Sequence, residues 1–322
     1  MFAIRRILGA FAVASSLALT SSSVAAQESA EVLRVVATLP DLADIASQVG
    51  GDAVQVDCIA RGKENLHAVR LRPSHMVSTH RADLFVQVGL ALEHAWVPGL
   101  LEASRNSRIA NDGPLNIGTG WPNLVEIPLT LSRTEGVCVH PLGNPHVNLC
   151  PSFGAFAARK IRDRLKSLRP ELSEKFDANC AAYEVRIAER AKRWKRIAAL
   201  LKGKKVVQYH KEFSYLCIAC GIDRCGALEP KPGVPPTPAH LAKMAVKMRD
   251  EEVKVVLRGA WTPLRLAQDA AARGGAIAVE IPVMTEKGET WLDFMDRAHE
   301  TLLQAWDLTL PEDDLNMKAA DD

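Results

Sequence analysis

The chain of 322 residues carries 40 Lys and Arg against 38 Asp and Glu, with 48% hydrophobic and 5% aromatic residues. This near-neutral balance provides no basic surface for nucleic acid or for an anionic membrane. A chain of this length suits two domains of ordinary size, and its aliphatic residues are sufficient to fill α/β cores.

The N-terminus predicts a secretory signal peptide over residues 1–26. Arg5 and Arg6 precede an apolar stretch that ends near Leu19, and small residues follow it. This stretch is shorter than the ~20 residues of a transmembrane helix, and no cysteine follows directly to carry a lipid anchor. We therefore expect cleavage near Gln27 and export of a soluble protein that is not embedded in a membrane.

Strand and helix patterns alternate over residues 27–169, which we assign to an N-terminal lobe. Strands are expected at 33–39, 54–59 and 83–88, and helices at 41–49, 73–80 and 92–103. Such alternation predicts a parallel sheet with helices on both faces. The segment 111–145 contains Gly and Pro residues and is expected to be mostly loop.

Residues 170–203 follow a different pattern. Apolar side chains recur there at helical spacing, and neither Pro nor Gly interrupts the run between Pro170 and Gly203. The pattern predicts one helix of ~45 Å, at ~1.5 Å per residue. A coiled-coil or bundle helix is the alternative, but a single long helix between two α/β halves favours a rigid linking helix.

After Gly203 the alternation resumes, and we assign residues 204–310 to a C-terminal lobe. Strands are expected at 205–209, 253–257 and 277–281, and helices at 212–220, 238–249, 263–273 and 290–306. The acidic residues 311–322 are expected to form a disordered tail. The predicted fold class is therefore α/β, with two parallel-sheet lobes joined by one long rigid helix.

Seven cysteines matter in an exported chain, because disulfides form in oxidising compartments. An odd number leaves at least one thiol unpaired. A single C-x-x-C at Cys217 and Cys220, with Cys225 nearby, favours a local disulfide over a metal site. Cys138 and Cys150 flank the loop around position 146 and are candidates to constrain it.

Three histidines, each within its own short motif, are the most informative residues. They are His67 in Gly-Lys-Glu-Asn-Leu-His, His146 in Gly-Asn-Pro-His, and His210 in Val-Val-Gln-Tyr-His. Neutral imidazole is the commonest protein ligand for zinc, and a site needs three or four converging donors. We therefore predict one metal site that only the folded chain can assemble. Apart from His140, the remaining histidines are expected at the surface: His75, His80, His94, His240 and His299.

These motifs resemble those of the metal-binding solute receptors of bacterial zinc and manganese ABC importers. In those receptors one histidine follows the second strand, another lies in an Asp-Pro-His motif, and a third begins a His-x-x-Phe-x-Tyr run. His67, His146 in Asn-Pro-His, and His210 in His-Lys-Glu-Phe-Ser-Tyr occupy those places. The resemblance covers nearly all of the mature sequence, and it implies that the three histidines bind metal in a cleft between the lobes.

The resemblance also implies a fourth ligand, a carboxylate directly after a late strand. Glu280 is the candidate in this chain, although it lies one position earlier than the family pattern. Because strand side chains alternate between faces, a shift of one residue can turn such an acid away from the cleft. Alternatives for the fourth position are water, Glu229, Glu286 and His140.

The function that the resemblance implies is a periplasmic, non-enzymatic zinc receptor that delivers metal to an ABC permease in the inner membrane. It is expected to act as a monomer. Three imidazoles with one oxygen donor favour Zn²⁺ over Mn²⁺. The alternatives are a manganese receptor of the same type, a secreted metallohydrolase and a metal-binding adhesin or storage protein. No His-Glu-x-x-His motif supports the hydrolase.

Overall fold

The computed structural model describes residues 32–127, 142–231 and 233–311. The predicted signal peptide lies outside the described residues, as do His140, Cys138 and nearly all of the predicted acidic tail. No helix in the described ranges is both long and apolar enough to cross a membrane.

The N-terminal half contains a parallel four-stranded sheet in the order β2-β1-β3-β4. Its strands are β1 (Leu33–Ala37), β2 (Val54–Cys58), β3 (Leu84–Gln87) and β4 (Leu115–Asn116). The first three strands were predicted, whereas β4 lies in a segment expected to be loop. At two residues, β4 is too short to show an alternating pattern in the sequence.

Five helices accompany this sheet, and α2 has the bounds that the sequence predicted. They are α1 (Pro40–Gly50), α2 (Pro73–His80), α3 (Val97–Ser104), α4 (Ser107–Asp112) and α5 (Phe153–Leu168). Pro40, Pro73 and Pro98 stand in the first turns of α1, α2 and α3. Proline suits those positions because the first helical N–H groups have no partner within the helix.

One long helix connects the two halves. After a 3-10 turn at Pro170–Leu172, α6 runs without interruption over Ser173–Leu201, which is 29 residues and roughly 44 Å. Its buried side chains include Phe176, Tyr183 and Trp194. The helix packs against α5 and α1, and the prediction of a long linking helix is confirmed.

The C-terminal half repeats the sheet topology, with parallel strands in the order β6-β5-β7-β8. The strands are β5 (Lys205–Gln208), β6 (Asp223–Ala227), β7 (Val255–Arg258) and β8 (Ile277–Glu280). The helices are α7 (Ser214–Ala219), α8 (Pro238–Asp250), α9 (Leu264–Arg273) and α10 (Trp291–Gln304). The two parallel sheets confirm the predicted fold class, although β6 was not predicted. Its Asp-Arg-Cys-Gly-Ala sequence lacks the apolar run of a buried strand.

The segment after β8 and helix α10 join the C-terminal half to the N-terminal half. The backbone N–H of Trp291 donates to Asp44 Oδ2 at 2.8 Å, and Thr285 Oγ1 donates to Asp41 Oδ1 at 2.9 Å. Gly154 on α5 faces the Trp291 ring so closely that an added Cβ would lie 2.3 Å from it. Helix α10 therefore packs on α6 and α1, while the division into lobes at residues 169 and 204 stays a prediction.

The six described cysteines are all free thiols, so the predicted local disulfide is not formed. Cys217 and Cys220 are buried in the core around α7, and Cys225 lies on β6. Burial raises the pKa of the Cys220 thiol to about 12. These side chains behave as small apolar residues rather than as reactive thiols.

Candidate metal centre

His67 lies in the loop between β2 and α2. Its backbone N–H donates to Asn65 Oδ1 at 3.0 Å, and Trp96 Nε1 donates to the carbonyl of Leu66 at 3.0 Å. These two hydrogen bonds hold the loop against the buried Trp96 ring. The imidazole itself is 4% exposed, so the loop carries a buried polar side chain rather than a solvated one.

His146 precedes a 3-10 turn at Val147–Leu149, and Asn144 holds it in place. Asn144 Oδ1 accepts from both the backbone N–H and the Nδ1–H of His146, each at 2.9 Å. The Nδ2 of Asn144 donates to the Lys211 carbonyl at 2.6 Å and to Glu126 Oε2 at 3.1 Å. Since both of those partners are acceptors, the amide orientation is fixed, and Nδ1 of His146 carries the proton.

His210 follows β5 after a single residue, and a carboxylate lies behind it. Its Nδ1–H donates to Glu229 Oε2 at 2.6 Å, and both side chains are buried. Glu229 stands just after β6, the neighbour of β5, so the two strand ends bring the pair together. The Nε2 of His210 is buried and has no hydrogen-bond partner.

The three imidazoles converge at one point. One nitrogen from each of His67, His146 and His210 lies within 4.8 Å of the others, and the Nε2 atoms of His67 and His146 are 3.0 Å apart. Tetrahedral zinc with ~2.0–2.1 Å bonds separates its nitrogens by about 3.3 Å. Protons held at Nδ1 of His146 and His210 leave their Nε2 lone pairs for a metal. This donor set fits a divalent cation.

The family comparison agrees with this geometry. The family model described as ZnuA, the periplasmic zinc-uptake complex component A, matches residues 35–305. The chain belongs to this family. The resemblance drawn from the three histidine motifs is therefore confirmed.

Members and structural neighbours of the zinc-uptake component A family extend this result. The zinc-binding lipoprotein AdcA of Streptococcus pneumoniae (strain ATCC BAA-255 / R6) is 23% identical over 282 residues, which are 85% of this chain and 56% of AdcA. The chain thus spans a little over half the length of that relative.

Two solved structures share the fold at low identity. A crystal structure of ZnuA is 18% identical, covers 85% of this chain and 99% of its own, and superposes with a TM-score of 0.72. A Mn-bound periplasmic metal-binding protein from Candidatus Liberibacter asiaticus is 17% identical, covers 84% and 98%, and gives a TM-score of 0.69. These similarities support the fold of two parallel-sheet halves joined by a long helix.

Glu280, the predicted fourth ligand, does not lie with the three histidines. Its carboxylate accepts from Arg258 Nη2 at 2.5 Å and from Lys63 Nζ at 3.2 Å. Arg258 is its register partner on the adjacent strand β7. The next residue, Ile281, is fully buried, so alternation along the strand turns Glu280 toward its cationic neighbours. The assignment of Glu280 as a ligand stays a prediction.

The other candidates for the fourth position are engaged elsewhere or lie outside the described residues. Glu229 accepts from His210 Nδ1 and therefore stands behind the ring rather than beside its Nε2. Glu286 pairs with Arg297 at 3.4 Å. His140 is outside the described residues.

Glu212 and Trp261 were not recognised in the sequence, and both lie beside His210. Glu212 is 3% exposed, and burial raises the pKa of its carboxyl to about 7. Its Oε2 accepts from Trp261 Nε1 at 2.9 Å. The Trp261 ring meets the His210 ring edge-on, with centroids 5.5 Å apart. The signal available in the sequence was the position of Glu212, an acid two residues after the motif histidine His210.

The remaining described histidines are exposed, half-buried or buried, and His240, which was predicted at the surface, is half-buried with its Nε2 3.0 Å from the Ala227 carbonyl oxygen. His80 and His94 are exposed as predicted, but the prediction was wrong for His75 and His299, which are 3% and 1% exposed. His299 stacks on Trp194 and donates from Nδ1 to the Met295 carbonyl, and burial lowers its pKa to about 4. Both buried histidines are structural, since neither belongs to the group of three.

Proposed function

We propose that this chain is a periplasmic receptor that captures one zinc ion between its two halves and delivers it to an ABC permease in the inner membrane. The convergence of His67, His146 and His210 from three separate loops carries the proposal. Two of them are already oriented by Asn144 and Glu229, as ligand histidines are in metal sites. The family description as a periplasmic zinc-uptake component supports the same reading.

Zinc is the preferred cargo because the donors are imidazoles. Manganese favours more oxygen ligands and a higher coordination number, whereas three nitrogens with one further donor suit tetrahedral zinc. Manganese is the second candidate, because the similar periplasmic protein from Candidatus Liberibacter asiaticus was solved with Mn bound. Copper binds such nitrogen donors more tightly than zinc, so selection against copper depends on geometry and supply.

Metal binding acts as a clamp in this proposal. His67 and His146 come from the N-terminal half, whereas His210 follows a strand of the C-terminal sheet. A cation that binds all three nitrogens favours the arrangement in which the halves are together, by the difference in its affinity for the two arrangements. The continuous helix α6 limits the motion to a small rocking of one half against the other.

The receptor works without catalysis and as a monomer. All three ligands belong to a single chain, and the related family members are named for uptake rather than for a reaction. A metallohydrolase would need a general base beside a metal-bound water. Hydrolysis of ester or peptide substrates by the zinc-loaded protein would favour that alternative. Several metal ions per chain would favour storage.

The test is the zinc stoichiometry and affinity of the cleaved protein and of His67→Ala, His146→Ala and His210→Ala. The proposal predicts one zinc per chain in the parent and a loss of tight binding in each variant, because two remaining imidazoles cannot close a tetrahedral site. His80→Ala is the matched control, since His80 is exposed at the end of α2 and should leave zinc binding unchanged.

Three results would contradict this proposal. Retention of tight zinc in all three histidine variants would place the metal elsewhere, with the cysteines as the next donors to examine. Absence of tight zinc in the parent protein would remove the receptor assignment altogether. Loss in only one variant would show that the site is not shared between the two halves.

A further inference from the structure

The loop that carries His146 is hydrogen-bonded to the C-terminal half, although it belongs to the N-terminal half in sequence. The side-chain amide of Asn144 donates to the Lys211 carbonyl at 2.6 Å, directly after His210. In the other direction, the hydroxyl of Tyr215 on α7 donates to the Asn144 carbonyl at 2.8 Å. Asn144 therefore joins the two halves through both its side chain and its backbone, in addition to orienting the His146 ring.

Glu126, another residue of the N-terminal half, adds a second connection at the same place. Its Oε1 accepts from Ser214 Oγ at 2.8 Å and from Arg224 Nη1 at 3.0 Å, and its Oε2 accepts from Asn144 Nδ2 at 3.1 Å. Ser214 begins α7 and Arg224 lies on β6, so both donors belong to the C-terminal half. We call this set of contacts the latch: Glu126 and Asn144 on one side, and Lys211, Ser214, Tyr215 and Arg224 on the other.

The latch is buried around Tyr215. The Tyr215 ring meets the Trp121 ring edge-on, with centroids 6.2 Å apart, and Trp121 in turn lies edge-on against Phe156 of α5. Tyr215 is 3% exposed and Trp121 is 5% exposed. A hydrogen bond in such surroundings is costly to break, because the separated groups are left without water or another partner. The latch therefore holds the halves together without help from a metal ion.

The loop that carries His67 is held differently. The two hydrogen bonds described above keep it within the N-terminal half. It reaches the C-terminal half through the ion pair of Lys63 with Glu280, whose side chains are 63% and 38% exposed. Exposed ion pairs add little stability, because water and salt screen their charges. The halves are thus joined by buried hydrogen bonds beside His146 and by an exposed ion pair beside His67.

We infer that Tyr215 is a positioning residue that keeps His146 against His210 when no metal is bound, so that the halves pivot at the latch and His67 is the ligand that separates. The inference rests on the proposed function. An incoming zinc ion then meets two imidazoles that are already assembled and is enclosed when the His67 loop approaches. Release follows the reverse order, with His67 leaving first.

Hydrogen exchange of backbone amides tests the inference in the parent protein. Mass spectrometry of peptides that cover residues 60–68 and 142–150 compares the zinc-loaded protein with the protein after zinc is removed by a chelator. Exchange reports local opening, so a segment that separates loses protection when zinc leaves. We expect the increase in deuterium uptake per amide in 60–68 to be at least about threefold that in 142–150. A smaller ratio would overturn the inference.

Tyr215→Phe removes the hydroxyl of the latch and keeps the ring that packs on Trp121. In the metal-free variant we expect residues 142–150 to exchange at least about threefold faster than in the metal-free parent. Zinc affinity, measured by chelator competition, should fall about 2- to 10-fold, which corresponds to the loss of one hydrogen bond. A smaller change in the exchange of 142–150 would overturn the role of Tyr215.

Tyr183→Phe is the matched control for Tyr215→Phe. The Tyr183 hydroxyl is buried on α6 and has no hydrogen-bond partner, so the same chemical change breaks no contact of the latch. We expect parent-like exchange of 142–150 and parent-like zinc affinity in this control. The peptide over α10, residues 291–304, is the internal reference, because general destabilisation would raise exchange there as well. Equal increases in 142–150 and 291–304 would show that Tyr215 acts on the whole fold and would overturn its positioning role.

The inference and the proposed function fail in different ways. Should Tyr215→Phe not fold, the comparison of the two parent peptides still decides the inference. If the parent binds one zinc that the histidine variants lose, yet 142–150 opens as far as 60–68, only the pivot at the latch fails. If the parent binds no zinc, the proposed function fails, and the inference fails with it.

Discussion

The two halves of the chain share a sheet topology but contribute different chemistry to the metal centre. The N-terminal half supplies His67 and His146 from loops, and the neutral amide of Asn144 orients the second ring. The C-terminal half supplies one histidine directly after β5, with the buried acids Glu229 and Glu212 around it. One half thus brings mainly neutral donors, and the other brings negative charge.

This difference shows what the fold decides and what individual side chains decide. In both halves the strands are parallel and run in the same order, so their carboxyl ends gather loops at one edge, where open α/β sheets bind ligands. The sheets therefore determine where the centre lies. Its charge depends on a few residues placed just after strands in the C-terminal half.

The largest effect in this comparison is expected from Glu229→Ala. The change leaves the Nδ1–H of His210 buried without its acceptor and removes one negative charge behind the ring. We expect zinc affinity to fall about 10–100-fold, as for other partners of metal-bound histidines. Chelator competition measures the change, with Glu102→Ala as the control, since Glu102 is an exposed residue of α3. If the variant bound zinc as tightly as the parent, Glu229 would not be needed to orient His210.

A second prediction concerns the junction between the halves. Asp41 on α1 is fully buried, accepts from Thr285, and has a pKa raised to about 7 by burial. Because this pKa is above the unfolded value, the folded state holds an extra proton between about pH 4 and 7. The contribution of Asp41 to stability should fall as pH rises through this range, by at most about 1.4 kcal/mol per pH unit.

Asp41→Asn should remove this part of the pH dependence and make the metal-free protein more stable at pH 8 than the parent. Unfolding in urea at pH 5 and pH 8 measures this difference in stability.

Glu93 is the matched comparison inside the N-terminal half, because its two oxygens accept from Thr38, Val88 and Gly89. Glu93→Gln places an amide against those donors and should destabilise the protein at both pH values. If the free energy of unfolding of Asp41→Asn changed with pH as steeply as that of the parent, Asp41 would not be the source of this pH dependence.

The smallest effect is expected from Lys63→Ala. Lys63 lies on the His67 loop and reaches Glu280 at the end of β8, but its side chain is 63% exposed. Exposed ion pairs contribute about 0–1 kcal/mol, so the free energy of unfolding should change by less than about 1 kcal/mol and zinc affinity by less than about threefold. A loss of 10-fold or more would show that this contact, rather than the buried acids, controls the centre.

Much of this fold could be predicted from the sequence, because long apolar runs and helical spacing are local signals. The prediction located β1, β2, β3 and α6 to within a few residues. It missed β6, whose residues Asp223–Ala227 are mostly polar or small, because pairing with β5 makes it a strand. Pairing between distant segments leaves no periodic pattern in the sequence.

The same limit applies to the centre. The three histidines were predictable because each stands in a motif, whereas the surroundings of Glu280 depend on its register with Arg258 across two strands. The burial of Glu212 also depends on Gly259 and Trp261, which lie far from it in the chain. His299 looked like a surface residue within a charged helix, but α10 turns it onto Trp194. Such contacts follow from tertiary packing rather than from spacing.

X-ray absorption at the zinc edge of the metal-loaded protein identifies the donor atoms around the metal. We expect three imidazole nitrogens at ~2.0–2.1 Å and a fourth light-atom donor, with no sulfur near ~2.3 Å. That spectrum would agree with one centre assembled from His67, His146 and His210. Sulfur in the first shell, or fewer than three imidazoles around the metal, would contradict a centre shared between the two halves.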